Sequence, residues 1–340
     1  MKTNSLFLVL SFSLILLFTA NEMSAQIYST SNGGNWHNPQ TWIGGTIPDG
    51  SNSVVITSVV SVDNTAFCNN LTVQPNGTLQ NTGGSHTINV YGHASNSGII
   101  QNYVNSLIMY VHGNITNSGV WSIHNTCLSG SADQTVGTYG GHIFTGANFT
   151  DNEVSSQVIA DTDLVFDGTH IDLNFSNLIL PAGYRISVSG SGVAFRDANI
   201  YGDNSILEMS AGTKIYFING YNLIMQGTIS IDDNNSHFHN YLINQGTIQN
   251  IGGSHSLSIN GDFTNNGIVL NNVSFLTLYI NGDIVNNGTW SNHSTILNGT
   301  SDQELSCLGT NYFSGSNFLD YEISSQIIGL SDLTFVGTNI

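Results

Sequence analysis

Asp232-Asp233-Asn-Asn-Ser-His237-Phe-His239 is the one stretch of this 340-residue chain that gathers acids and imidazoles. Carboxylates and amides in a turn can take Ca2+, with backbone carbonyls completing the oxygen shell. If the segment is extended, His237 and His239 share a face. A solvated turn is the plain alternative. A second set is aromatic. Trp36 and Trp42 can stack on sugar rings or plug the end of a fold. Tyr91, Tyr110 and Tyr279 sit beside apolar residues whose alternation turns them outward, as stacking platforms or ordinary strand decoration. A third set is defined by scarcity: after Lys2, the only Lys and Arg are Arg185, Arg196 and Lys214. His86 with His255, and His124 with His293, occupy matching positions in a repeat, where turn and ladder roles compete with ligand binding. Phosphate-cradling loops, zinc-spaced Cys and His, and G-x-S-x-G elbows are missing from the sequence.

A duplication positions these residues. Residues 77–171 reappear at 246–340 with a constant offset of 169 and no gap, and about half of the positions are identical. GTLQNTGGSH at Gly77–His86 becomes GTIQNIGGSH at Gly246–His255. Fixed-period self-similarity signals a repeat architecture. A shorter period lies inside it. Gly77, Gly98 and Gly119 are 21 residues apart, as are Gly246, Gly267 and Gly288. Most sit in an N-x-G-φ-φ frame (φ apolar), such as Asn96-Ser-Gly98-Ile-Ile and Asn117-Ser-Gly119-Val-Trp. A second column alternates apolar and polar residues: Ile88-Asn-Val90-Tyr-Gly92, then Met109-Tyr-Val111-His-Gly113. Alternation marks half-buried strands. The glycines and asparagines suit turns needing positive φ.

Three short strands and three turns in about 21 residues make one rung of a parallel β-helix, whose equivalent positions stack about 4.8 Å apart. The expected fold is all-β: a right-handed parallel β-helix (β-solenoid) of about 21-residue coils with an N-terminal cap. Inward ladders would run Ile88 to Met109, Val90 to Val111, and Leu79 to Ile100 to Trp121, with Trp290 also in the core. Asn96 over Asn117 would bond amide to amide. A string of β-sandwich modules is the alternative, but sandwich strands do not repeat identical turn chemistry every 21 residues. The expected divisions are a signal peptide (1–25), a Trp/Gly-rich cap (26–70), repeat unit 1 (71–171), an irregular β-helix segment (172–245) and repeat unit 2 (246–340).

The first residues carry a short positive region at Lys2 and an apolar stretch over Leu6–Phe18, too short for a comfortable membrane span. A cleaved signal peptide is expected, ending at Ala25 or at Ala20, with no membrane insertion afterwards. Only 8% of residues are charged and the formal net charge is −18. So few cations cannot neutralise phosphates, which argues against nucleic acid and anionic membranes as partners. Cys68, Cys127 and Cys307 read as buried unpaired thiols, since eight rungs of stack separate the last two by roughly 40 Å.

Gly33-Gly34-Asn-Trp36-His-Asn-Pro39-Gln-Thr41-Trp42-Ile-Gly44-Gly45-Thr-Ile-Pro48 resembles the N-terminal head of secreted β-helix proteins from the Bacteroidota. It is similar, more loosely, to the glycine-rich G8 module. Gly130-Ser-Ala-Asp-Gln134 and Gly299-Thr-Ser-Asp-Gln303, each followed by F-x-G-x-N-F, resemble repeat junctions in the same class of surface proteins. The resemblance implies secretion or outer-surface display. It also implies a C-terminal sorting domain of the type IX secretion class, which would lie beyond Ile340.

The function expected is a secreted or cell-surface, non-catalytic repeat protein, adhesive or structural, with extracellular polysaccharide or surface glycans as candidate partners. No cofactor is implied, with Ca2+ the one candidate ion. Two alternatives stay open. One is a polysaccharide lyase or glycoside hydrolase with its cleft in 172–245, the stretch that holds all three cations. A lyase needs a base beside a carboxylate, and Arg185, Arg196 and Lys214 are the basic candidates. A hydrolase needs two carboxylates about 5 to 10 Å apart, and Asp203, Glu208, Asp232 and Asp233 are scattered acids. The other alternative is a passive spacer for a further C-terminal domain.

Overall fold

The computed structural model describes residues 26–340. The expected signal peptide lies outside the described residues. The chain winds as a β-solenoid with about 21 residues per coil, each strand pairing in parallel with its counterparts one turn below and above. Three strands per turn make three faces. Face A runs from Ala66–Cys68 through His86–Val90, Leu107–Val111, Asn125–Leu128, Asn148–Asp151 and His170–Asp172 to Ala194 and Lys214. Face B carries Gln157–Ala160, Asn177–Ile179, Asn199–Tyr201, Asn219–Tyr221, His237–His239 and Ser258–Asn260 in successive turns. Face C begins with Gly34–Asn35, Val59–Val62, Thr78–Asn81, Ile99–Gln101 and Val120–Ser122.

The inward ladders follow the expected register. Ile88 pairs with Met109, Val90 with Val111, and Leu79 with Ile100 and then Trp121. These side chains are buried. Each buried aliphatic contributes about 1.5–3 kcal/mol, and every rung repeats the gain. Trp121 donates its indole N–H to Thr126 Oγ1 at 2.8 Å, and Trp290 does the same to Thr295 Oγ1 at 3.0 Å. The indoles are therefore core residues with satisfied donors.

The N-x-G frame has a specific cause. Asn96 Nδ2 donates to Asn117 Oδ1 at 2.9 Å, and the second unit repeats this from Asn244 to Asn265 to Asn286. Each Oδ1 also accepts the N–H of the glycine two residues on. These five asparagines are fully buried, so each unmade bond would cost about 1–3 kcal/mol. The glycines at these corners do not adopt positive φ, contrary to the expectation. They are needed for room: a Cβ on Gly119 would stand 2.3 Å from Gly98 O. The Gly-x-x-x-Gln junctions are structural too. Gln134 accepts from Gly130 N–H and donates to the carbonyls of Val111 and Gly113, and Gln303 repeats the pattern.

The cap segment joins the stack early. Ser53–Ile56, Val59–Val62 and Ala66–Cys68 already pair with Leu71–Val73, Thr78–Asn81 and Ile88–Val90, inside the segment expected as cap. Residues 172–245 also stay in the stack. Ala194–Met209 and Lys214–Ile231 are continuous strands that bend round the corners, with register shifts at Tyr201/Ser205 and Tyr221/Leu223. The offset between the two copies is consequently not a whole number of turns. His86–Val90 lies on face A, whereas its counterpart His255–Ile259 lies on face B. The copies are rotated by one face.

Candidate functional site

On face A an outward column reads Asn125, Asn148, His170, Ala194, Lys214. Ala194 leaves a gap of one side chain between His170 and Lys214. The neighbouring outward column reads Thr150, Asp172, Arg196, Tyr216. The result is a notch of about 440 Å³ walled by His170, Arg196, Asp197, Lys214, Tyr216 and Phe217. Arg196 Nε pairs with Asp172 at 2.9 Å, and Lys214 Nζ pairs with Asp232 at 3.0 Å. Tyr216 donates its hydroxyl to the same Asp232 oxygen at 2.5 Å and accepts from Lys214 at 3.4 Å. His255 Nε2 reaches the other Asp232 oxygen at 3.3 Å. His170 Nδ1 accepts the Ala194 N–H, which leaves Nε2 to carry the ring proton.

These contacts settle the charges. Burial pushes the Asp232 carboxyl up, but hydrogen bonds from Tyr216 and Lys214 outweigh it and hold the group below its ordinary range. The hydrogen bond to Asp232 raises Lys214, so its ammonium stays charged. Burial, then the bond to Asp232, raises Tyr216, so its phenol stays protonated. Asp197 is pushed up by burial and by Asp172. Arg185 pairs with Glu208 at 2.7 Å. Each of the three cations among the described residues thus has a carboxylate partner.

Around the corner, face B carries a flat double ladder. Asn199 Nδ2 donates to Asn177 Oδ1 at 3.4 Å, and Asn219 Nδ2 to Asn199 Oδ1 at 2.9 Å. Beside them the rings of Tyr201, Tyr221 and His239 stack at 4.4 and 4.5 Å, with planes 7° and 12° apart. Stacked rings cover one another's faces, so the row shows edges and hydroxyls outward. Burial and the Tyr201 hydroxyl raise the Tyr221 phenol. Burial lowers His239, with His237 adding to it. Sequence reading missed this ladder because Tyr201, Tyr221 and His239 are spaced 20 and 18 apart, off the 21-residue period.

The residues singled out from the sequence fare differently. Tyr91 is half exposed and stacks between Phe67 and His112. Tyr110 and Tyr279 point outward as expected, half-buried, but on faces A and B, because the copies are rotated. Trp36 and Trp42 offer no sugar platform. They are 0% and 2% exposed, packed edge to face at 5.0 Å, with Trp42 Nε1 donating to Trp36 O. Gly34–Asn35 seats them on Val60–Ser61, and the rings close the first turn. The metal set Asp232, Asp233, His237, His239 is split. Asp232 bonds Lys214 and Tyr216 beside the face A notch, and buried Asp233 accepts from Phe217 N–H and Ser236 Oγ at a corner. His237 and His239 share face B, their rings 6.3 Å apart. The corner at 233–235 divides the four, and no group of three or more His, Cys, Asp or Glu among the described residues is arranged for a metal ion. His86 Nε2 bonds the Thr82 carbonyl at 2.7 Å, whereas its counterpart His255 meets Asp232. The three cysteines are free and buried, which pushes their thiols up.

Comparison with protein-family models, with curated proteins and with solved structures finds no match to this chain.

Proposed function

We propose that this protein is a secreted or cell-surface solenoid that binds polysaccharide without cleaving it, in an adhesive or structural role. The supporting observation is the double ladder on face B. It offers amides, phenol edges and an imidazole in parallel rows, one rung (about 4.8 Å) apart. A repeating polar row suits a repeating polar ligand, because each sugar meets an equivalent set of donors and acceptors. The row is also preorganised, since the side chains bond one another, which lowers the ordering cost of binding. Lys214 held charged and Tyr216 held protonated are not available as general bases near neutral pH.

The test is incubation of residues 26–340 with a polysaccharide panel, scoring retention and new chain ends together. Retention without new ends, weakened about tenfold or more by Asn199→Ala with Tyr221→Ala, is the expected result. Retention unchanged by that pair of substitutions sinks the ladder. A second reading, glycoside hydrolysis, draws on the contrast between Asp197, on the notch wall and raised by burial, and Asp232, held low by its bonds to the notch residues Tyr216 and Lys214. New chain ends that vanish in Asp197→Asn would establish it.

A further inference from the structure

We infer that the face A notch over Ala194 binds an anionic sugar ring, so that the polysaccharide recognised is an acidic one. The inference rests on the polysaccharide-binding reading and names the ligand class.

Cations are the scarcest resource in this chain, three among the described residues against a formal net charge of −18. Two of the three converge on a single notch. Pairing orients them without using them up. Arg196 spends Nε on Asp172, which leaves its two terminal nitrogens as a fork suited to a carboxylate. Its side chain is 52% exposed, so the fork is reachable. Lys214 gives protons to Asp232 and Tyr216 and keeps a third. His170 Nε2 adds a neutral donor from the opposite wall.

The notch has room for a sugar ring. Ala194 separates His170 from Lys214, two rungs or about 9.6 Å apart, and the cavity of about 440 Å³ falls within the usual range for small-ligand pockets. Phe217, 40% exposed, gives an apolar wall for the C–H face of a sugar. Asp197 on the same wall accepts from ring hydroxyls. Asp197 and Phe217 both hold left-handed backbone, φ 51° and 50°. Such conformations cost energy in a non-glycine residue and concentrate at binding sites.

Titration calorimetry with three size-matched probes tests this: trigalacturonate, neutral galactotriose and a sulfated galactotriose. The wild-type protein should bind trigalacturonate at least tenfold more tightly than galactotriose, as expected for one charge-assisted contact. Arg196→Gln, at an exposed side chain, should erase that preference, and Ala194→Leu, which fills the notch, should do the same. Arg185→Gln removes the third cation, which lies on face C, and should change nothing. Equal binding of the sulfated probe makes the site a general anion site; exclusive binding of the uronate makes it a carboxylate fork. Equal wild-type affinity for charged and neutral probes, or a preference that survives Arg196→Gln, overturns the notch. Neutral binding that depends on Asn199 and Tyr221 would then leave the ladder reading standing. Notch-dependent uronate binding unaffected by those two residues keeps the notch and removes the ladder. Binding of none of the three probes overturns both.

Discussion

The duplicated units and the segment between them turn their corners by different chemistry. In the units, buried asparagines bond along the stack and glycines let one turn lie close on the next. In the middle, corners are made by single residues in the left-handed region. Asn174, Phe175, Asp197, Asn204, Phe217, Asn222 and Asn240 are the non-glycine positive-φ residues among those described, and all fall within 172–245. The units thus put their side-chain polarity inside, as glue. The middle pays for its corners in backbone strain and frees outward positions for Arg196, Lys214, Tyr216 and the face B ladder. The difference separates the part held by buried amides from the part that turns its charged and aromatic side chains outward.

This contrast can be broken by mutation, beginning where the effect is greatest. Trp121→Ala should destabilise by about 3–5 kcal/mol through a core cavity, read by denaturant unfolding; a loss under 1 kcal/mol would mean the indole is not in the core. Gly119→Ala should cost about 3 kcal/mol or more, because the added Cβ meets backbone rather than a flexible side chain. A mild loss there would place the next turn farther away. Asn117→Ala should cost about 1–3 kcal/mol by stranding buried partners in the turns on either side.

Smaller effects of opposite sign are expected in the middle. Phe175 is 53% exposed at φ 64°, so Phe175→Gly should raise stability by up to about 1 kcal/mol, visible as a higher Tm. A fall in Tm would show that this corner is not strained. The smallest effect is with pH. His239 is held below its ordinary value, so just below pH 6.5 the unfolded chain binds more protons than the folded one. Stability is full above that pH and declines as pH falls through it. His239→Asn should flatten the Tm profile there; an unchanged profile would assign the slope to other groups. In stronger acid, the stabilisation from Asp232 is lost as pH falls through its depressed pKa.

The rung was legible because its two signals are local. The glycine period and the apolar alternation of Ile88–Val90 and Met109–Val111 repeat without drift, so stacking register followed directly. The outward direction of Tyr110 and Tyr279 was legible for the same reason. The role of the glycines was not, since positive φ and close backbone approach both call for glycine and only the neighbouring turn distinguishes them. The sharing of one face by His237 and His239 followed from strand alternation, but the separation of Asp232 and Asp233 from them depended on a corner.

The sequence by itself determined that this chain is a stack of about 21-residue turns, which residues line its core and which asparagines bind turn to turn. Those facts depend on periodicity within a rung. Only the tertiary structure decided which face each copy presents and which side chains meet at the notch. Phase accumulates along a solenoid, and a few short turns between residues 172 and 245 shift every later residue round the axis by a whole face. His170, Arg196 and Lys214 come from successive turns and converge at the notch, and Asp232 from the turn after pairs with Lys214, only once that phase is set.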